Sequence, residues 1–203
     1  VSGDSNTLSF NQGNILTTGN SGNNGLGFDI TGNSNTVNIA QGENALDTGG
    51  HRIWFDIDGN SNTMNLSQHN DGNSNAKHFM NIDIDASSNN VLVYQKNNGA
   101  KTLFLDINNN SNDVDIFQYG TGDHFLDLLL DTGNSAHDID ITQDGSGSHG
   151  ARIDLSGYSY DFDLTQENNT NRLLFTTKNI EPSIVNKITI TGNDITKDKT
   201  IRS

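Results

Sequence analysis

The chain has 203 residues, of which 31% are hydrophobic, and it carries a net charge of −14 with no cysteine. Globular domains are about 45 to 50% apolar, so a thick core and any disulfide framework are excluded. The acidity argues against nucleic acid as a partner, and the lack of a long apolar run argues against membrane insertion.

A ten-residue segment, GNSNTVNIAQ from Gly32, recurs as GNSNTMNLSQ from Gly59. Each copy ends in glutamine, and glutamine returns along the chain at intervals of 29, 27, 27, 23, 25 and 23 residues. The members are Gln12, Gln41, Gln68, Gln95, Gln118, Gln143 and Gln166. Residues two and four positions before each glutamine are apolar, and mostly polar residues separate them. This period of two predicts a short β-strand with one buried face.

A second alternating run lies between successive glutamines, beginning with LGFDI, IWFDI, MNIDI and LFLDI. Two short strands per repeat cannot bury their own apolar faces, but stacked repeats can. The sequence therefore predicts an all-β, single-chain β-solenoid with two short strands per rung and about seven to eight rungs. Glycines at the corners are expected to supply positive φ, and asparagines to tolerate left-handed geometry.

Residues 1–170 carry the solenoid repeats, and residues 171–203 depart from their rhythm. The segment NKITITGN is a candidate eighth strand, with Gly192 where the next glutamine would fall. The rest of this region contains the only proline and several basic residues. It is interpreted as an atypical last rung or C-terminal cap, with an ordinary frayed terminus as the alternative.

The glutamines share the buried parity of the apolar residues. A lone amide in an apolar space costs a few kcal/mol, but amides stacked at the strand spacing of about 4.8 Å can hydrogen-bond to one another. The stacked amides also fix the register, because a slip of one residue would turn each glutamine to the wrong face. We therefore predict an internal glutamine ladder with a structural role.

Two of the repeats, DVDIFQYGTG ending at Gly122 and DIDITQDGSG ending at Gly147, place glycine two and four residues after glutamine. This pattern resembles the curlin repeat, the unit of bacterial curli fibres. The resemblance covers Gln12 to Gln166 weakly, because the rungs here are longer and the second strand carries no glutamine. It implies an amyloid-like, secreted solenoid that stacks into extracellular fibres of a biofilm matrix.

Three successive rungs carry two aspartates on the outward face of the glutamine strand. They are Asp113, Asp115, Asp138, Asp140, Asp161 and Asp163. In register, neighbouring carboxylates repel each other by about 1 kcal/mol even in water. Calcium is one candidate ligand that offsets this repulsion, and a basic patch on a partner is another. A solvated acidic face that keeps rods apart is the third interpretation. No cofactor is required by any of them.

Several aromatic residues fall on the predicted outer faces. Trp54, Phe79 and Phe104 lie on one sheet, and Tyr94 and Phe117 lie on the other. Exposed aromatic rings on a narrow rod mark a contact surface for another rod or for a sugar. An error of one residue in the alternation would bury them instead.

No catalytic site is predicted. The six histidines show no common phase along the repeats and no pair at metal-binding spacing, so they are interpreted as surface or corner residues. Paired carboxylates are too numerous to single out a catalytic pair. We therefore expect a protein that is not an enzyme.

Two functions follow from this pattern. The first is a secreted structural protein, a subunit or accessory of an extracellular fibre that associates with itself or with other fibre subunits. The second is a binding module, an adhesin or a receptor-binding rod of a phage, that holds a glycan or cations on an outer face. Both interpretations place the protein outside the cell or at its surface.

Overall fold

The computed structural model describes residues 2–12, 24–42, 50–70, 77–131, 137–156, 160–168, 171–178, 187–192 and 195–202. Within these ranges every regular element is a β-strand, and the strands form two parallel sheets of eight. Successive strands alternate between the sheets, so that each rung gives one strand to each. The predicted all-β solenoid is confirmed.

The first sheet contains the glutamine strands. In chain order they are β1 (Thr7–Gln12), β3 (Thr36–Gln41), β5 (Thr63–Asn70), β7 (Asn90–Asn97), β9 (Asp113–Thr121), β11 (His137–Ser146), β13 (Tyr160–Glu167) and β15 (Lys187–Gly192). The second sheet contains β2 (Asn24–Ile30), β4 (His51–Ile57), β6 (Lys77–Ile84), β8 (Ala100–Ile107), β10 (His124–Asp131), β12 (His149–Ser156), β14 (Asn171–Lys178) and β16 (Ile195–Arg202).

The core is the space between the two sheets. Buried residues alternate with more exposed ones along the central strands that the structure describes, as in β4, where the alternation has no break. The buried residues of the core are mainly isoleucine, leucine, valine, methionine and phenylalanine, and both sheets contribute them. A core one side chain deep from each sheet accounts for an ordered fold at only 31% hydrophobic residues.

The corners after β2, β4, β6 and β8 use left-handed serine. Ser34, Ser61, Ser88 and Ser111 have φ of 59°, 59°, 60° and 58°, and Ser5 repeats this geometry ahead of β1. The predicted left-handed asparagine occurs elsewhere, at Asn97 and Asn168, with φ of 66° and 65°. The asparagines of the serine corners have another role, because their side chains form hydrogen bonds between rungs.

The glycine that lies two residues after glutamine is required for steric reasons. Gly120 and Gly145 lie in register with φ of 108° and 140°. A Cβ on Gly145 would collide with the carbonyl oxygen of Gly120. Both the backbone conformation and the close approach of successive rungs therefore demand glycine at this corner.

The last rungs continue the two sheets. β15 is the predicted strand in NKITITGN, and it places Ile188 and Ile190 in register with Phe162 and Leu164 of β13. β16 pairs with β14 in the same parallel manner. Whether residues 171–203 also act as a cap stays a prediction.

Candidate functional site

The glutamines form a continuous hydrogen-bonded column inside the rod. From Gln68 to Gln166, each Nε2 donates to the Oε1 of the glutamine one rung earlier, at 3.0, 3.0, 2.8, 2.7 and 2.6 Å. All six side chains from Gln41 to Gln166 are fully buried. Gln12 lies in backbone register with Gln41, but its side chain falls outside the described part of the structure.

The second amide hydrogen of the column is also used. Gln68, Gln95 and Gln118 donate to the backbone carbonyls of Phe79, Thr102 and Phe125 on the facing sheet, at 3.0, 3.1 and 3.2 Å. Gln41 and Gln143 make the equivalent bond to Arg52 and Gly150. The column therefore joins neighbouring rungs and also ties the two sheets together, and the predicted structural role of these residues is the one that the geometry supports.

An asparagine ladder lies at the serine corners. The backbone N–H groups of Asn6, Asn35, Asn62 and Asn89 donate to the Oδ1 of the asparagine one rung later, at 2.8 to 2.9 Å. Asn112 continues the series by donating to Nδ1 of His137 at 3.3 Å. This role was not predicted, although the spacing of asparagine from the following glutamine is constant at six residues in these five rungs.

The interpretation of the histidines as surface or corner residues was wrong for five of the six, because only His69 is not buried. His51, His78, His124 and His149 lie at the first or second position of β4, β6, β10 and β12, and Lys101 takes the same place in β8. These side chains are at most 1% exposed, so they form a buried basic column rather than a surface. Because Lys101 replaces histidine in one rung, the regular spacing of the histidines is not apparent in the sequence. His137 is also buried and ends the asparagine ladder.

Burial controls the charge of this column. It lowers the pKa of Lys101 to about 7, and the Nζ of this residue donates to the carbonyls of Asn97, Gly99 and Thr121 at 2.8, 2.8 and 3.1 Å. Burial, with the nearby His51 and Lys101, lowers the pKa of His78 to about 3. Burial, Lys101 and His149 lower the pKa of His124 to about 2. His78 and His124 are therefore neutral at pH 7. The rings stack in two pairs, His51 with His78 and His124 with His149.

The outward aspartates of the first sheet stand in register. Asp113, Asp138 and Asp161 form one column, and Asp115, Asp140 and Asp163 form the next. Partial burial and neighbouring carboxylates raise the pKa of Asp115 and of Asp140. Across the described residues, no group of three or more carboxylate, imidazole or thiolate side chains has the arrangement of a metal site. Calcium binding by these columns stays a prediction.

The aromatic residues lie on the outer faces, as the alternation predicts. On the second sheet, Trp54 and Phe104 are 43% and 37% exposed, and Phe79 is half-buried between them. Phe125, which sequence analysis did not single out, continues the series at 39% exposure. Successive ring centroids are 5.9, 5.7 and 6.1 Å apart. We call these four rings the aromatic strip.

A carboxylate column runs beside the aromatic strip. Asp56, Asp83 and Asp106 are in register, Leu129 takes the next place, and Asp154 follows. Burial and neighbouring aspartates raise the pKa of Asp56 and Asp83. The strip and the column line two shallow grooves of about 440 and 390 Å³, the first at Trp54 and the second at Phe104.

The first sheet carries a smaller aromatic group. Tyr94 and Phe117 are half-buried and stacked, with centroids 4.9 Å apart and an angle of 13° between the rings. The Nζ of Lys96 lies 4.3 Å from the centroid of Tyr94, which is the geometry of a cation–π contact.

Comparison with known proteins identifies no relative. No family model matches the chain, and no curated protein or solved structure matches it either. The curlin resemblance therefore remains an interpretation of the repeat motifs. No helix in the described ranges has the length and apolar character needed to cross a membrane.

Proposed function

We propose that this chain is a structural protein: a secreted, curlin-like β-solenoid that serves as a subunit or accessory of an extracellular fibre or biofilm matrix. The observation that carries the proposal is the glutamine column from Gln41 to Gln166, in which each amide bonds to the next rung. Parallel strands with in-register amide ladders are the repeating unit of cross-β fibres. Here one chain contains that unit folded into a rod.

Three further features support a structural role. Hydrogen bonds between rungs are made at the core, at the asparagine corners and along both sheets, so that the rod is stiffened over its described length. The outer faces carry stacked carboxylates, which disfavour sideways clumping of rods. The two grooves beside the aromatic strip are open to solvent, as expected on the side of a rod.

Electron microscopy tests the proposal directly. Purified protein is incubated for several days at about 0.15 M salt and again at about 1 M salt, because a net charge of −14 slows association when it is poorly screened. We expect unbranched fibres whose diffraction shows a meridional spacing of about 4.8 Å. Gln68→Glu, which places a charge inside the column, is expected to abolish them. Asp140→Asn, on the outer face, is the matched control and should assemble normally.

Persistent monodisperse rods of the wild-type protein at both salt concentrations would contradict the fibre proposal. The second candidate, a binding module of the adhesin or phage receptor-binding kind, would then lead. The exposed aromatic strip beside the carboxylate column favours that candidate, because clustered exposed rings mark contact surfaces on soluble proteins.

A further inference from the structure

On three strands of the second sheet, the outer face carries an aromatic residue followed two positions later by aspartate. In the pair Phe125 and Asp127 of β10, the aspartate is bound by Arg152. The other two pairs share the same register.

Trp54 and Asp56 project from β4, and Phe104 and Asp106 project from β8. Trp54 and Phe104 both lie in register with Asn81 of the intervening strand, from opposite sides. The two pairs are therefore two strand spacings apart, about 9.6 Å.

Each pair combines two interactions that suit an organic cation. An aromatic face attracts a guanidinium or ammonium group, and a carboxylate beside it accepts the N–H bonds of that group. The protein makes both interactions with its own cations. Nη1 of Arg152 donates to Oδ2 of Asp127 at 3.0 Å in the groove at Phe104, and Lys96 lies over the ring of Tyr94 on the other sheet.

Charge decides the class of partner. The chain has a net charge of −14, and aspartates occupy most places beside the strip. A second copy of the chain would bring the same negative charges to this face and would be repelled. A neutral sugar would stack on the rings but leave the carboxylates without a counter-charge. A basic polypeptide can both stack on the rings and neutralise the carboxylates.

The spacing selects a conformation for that polypeptide. In a polyproline II helix, equivalent side chains recur every three residues at about 9.3 Å, which matches the separation of the twin pairs. A β-strand presents side chains on one face every two residues, at about 6.7 Å, and does not match. Aromatic grooves are a common receptor for polyproline II segments.

We propose that the aromatic strip binds an extended, arginine-rich peptide segment, with two arginines three residues apart seated at Trp54–Asp56 and Phe104–Asp106. Arginine is favoured over lysine because its planar guanidinium stacks on a ring while it donates to a carboxylate. This proposal specifies the partner of the binding candidate and does not depend on fibre formation.

Trp54 provides the assay, because it is the only tryptophan in the chain. Fresh, unassembled protein is titrated with a blocked proline-rich peptide that carries two arginines three residues apart, and Trp54 fluorescence is followed. Comparison peptides place the arginines next to each other, or replace both with lysine or glutamine. A linear β-1,4-linked glucose hexasaccharide tests the neutral sugar. We expect saturable binding that is strongest for the arginine peptide with the three-residue spacing and that weakens as salt rises.

Matched variants locate the binding. Asp56→Asn with Asp106→Asn removes two charges from the strip, and Asp115→Asn with Asp140→Asn removes two charges from the opposite sheet. Both doubles change only exposed or half-exposed side chains, and equal thermal melts would show that both fold. We expect about tenfold weaker binding for the first double, from the loss of two ion pairs, and less than twofold for the second.

Three results would overturn the proposal. They are an absence of saturable binding at millimolar peptide, equal binding of the glutamine peptide or the hexasaccharide, and equal weakening by the two double variants. Fibre formation is scored separately by microscopy on the same protein stock, so a failure of either proposal is recognised independently of the other.

Discussion

Replacing Gln118 with methionine tests the energetics of the glutamine column. In the wild type, Nε2 of Gln118 donates to Oε1 of Gln95 at 2.8 Å and to the carbonyl of Phe125 at 3.2 Å. Its Oε1 accepts from Nε2 of Gln143 at 2.7 Å. Methionine has a similar length and no amide, so the amides of Gln95 and Gln143 lose a donor and an acceptor at fully buried positions. The backbone carbonyl of Phe125 also loses the donor that Gln118 supplies.

Each buried polar group left without a partner costs about 1 to 3 kcal/mol, so Gln118→Met is expected to reduce the free energy of unfolding by about 2 to 6 kcal/mol. Urea unfolding followed by far-ultraviolet circular dichroism measures this loss. Asn81 is exposed, so Asn81→Ser serves as a control. It should change the free energy of unfolding by no more than about 0.5 kcal/mol.

A double variant separates the ladder from simple packing. Gln118→Met with Gln143→Met breaks the column at adjacent rungs, so the orphaned amide groups are again only two, at Gln95 and Gln166. Gln68→Met with Gln143→Met breaks it at separate rungs and orphans four. We expect the adjacent double to cost little more than a single substitution and the separated double to cost nearly the sum. Additive losses in both doubles would refute the ladder.

Three other predictions use different parts of the structure. Buried histidines with lowered pKa stay neutral while the unfolded chain takes up protons, so stability falls from pH 7.5 to pH 5.5 by about 1.4 kcal/mol for each. His124→Leu should flatten the pH dependence of the urea midpoint, and an unchanged slope would contradict the assignment. Thr142 and Thr165 lie in register, so cysteines at both should form a disulfide that a non-reducing gel detects, whereas cysteines at Thr142 and Asp163 should not. Asp140→Asn should raise the melting temperature in calcium-free buffer, because burial and neighbouring carboxylates raise the pKa of this carboxyl. Millimolar calcium that stabilises only the wild type would instead favour calcium binding.

The periodic residues made the fold predictable. Alternating apolar residues specify which side of each strand is buried. The constant place of glutamine specifies the register, and the corner glycines specify the turn geometry. The eighth strand of the first sheet was predicted from two isoleucines and a glycine. Gln166 and Gly192 are partners in that register, as the pattern at the glutamine position requires.

The corners and the basic column were harder to predict. Left-handed serine is uncommon, so no local feature of the sequence favours Ser61 over its asparagine neighbours for that backbone position. Lys101 interrupts the histidine series, and the intervals between these residues vary with corner length. Only the strand register, which fixes the start of each strand, brings them into one column.

The aromatic strip was predicted in part. Alternation placed Trp54 and Phe104 outward, but their relation to Phe79 and Phe125 depends on which residues of successive rungs come into register. Repeats of 27, 23 and 25 residues contain corners of different length, and the sequence does not show how each corner offsets the next strand.

Nuclear magnetic resonance of side-chain amides tests the central claim most directly. The chain contains seven glutamines. Six of them, Gln41 to Gln166, form the described column, so selective labelling of glutamine Nε2 gives signals from the column and from Gln12. We predict that the amide protons of Gln41 to Gln166 exchange with heavy water over hours and show cross-relaxation from one rung to the next. Exchange as fast as that of free glutamine, with no contact between successive side chains, would contradict it.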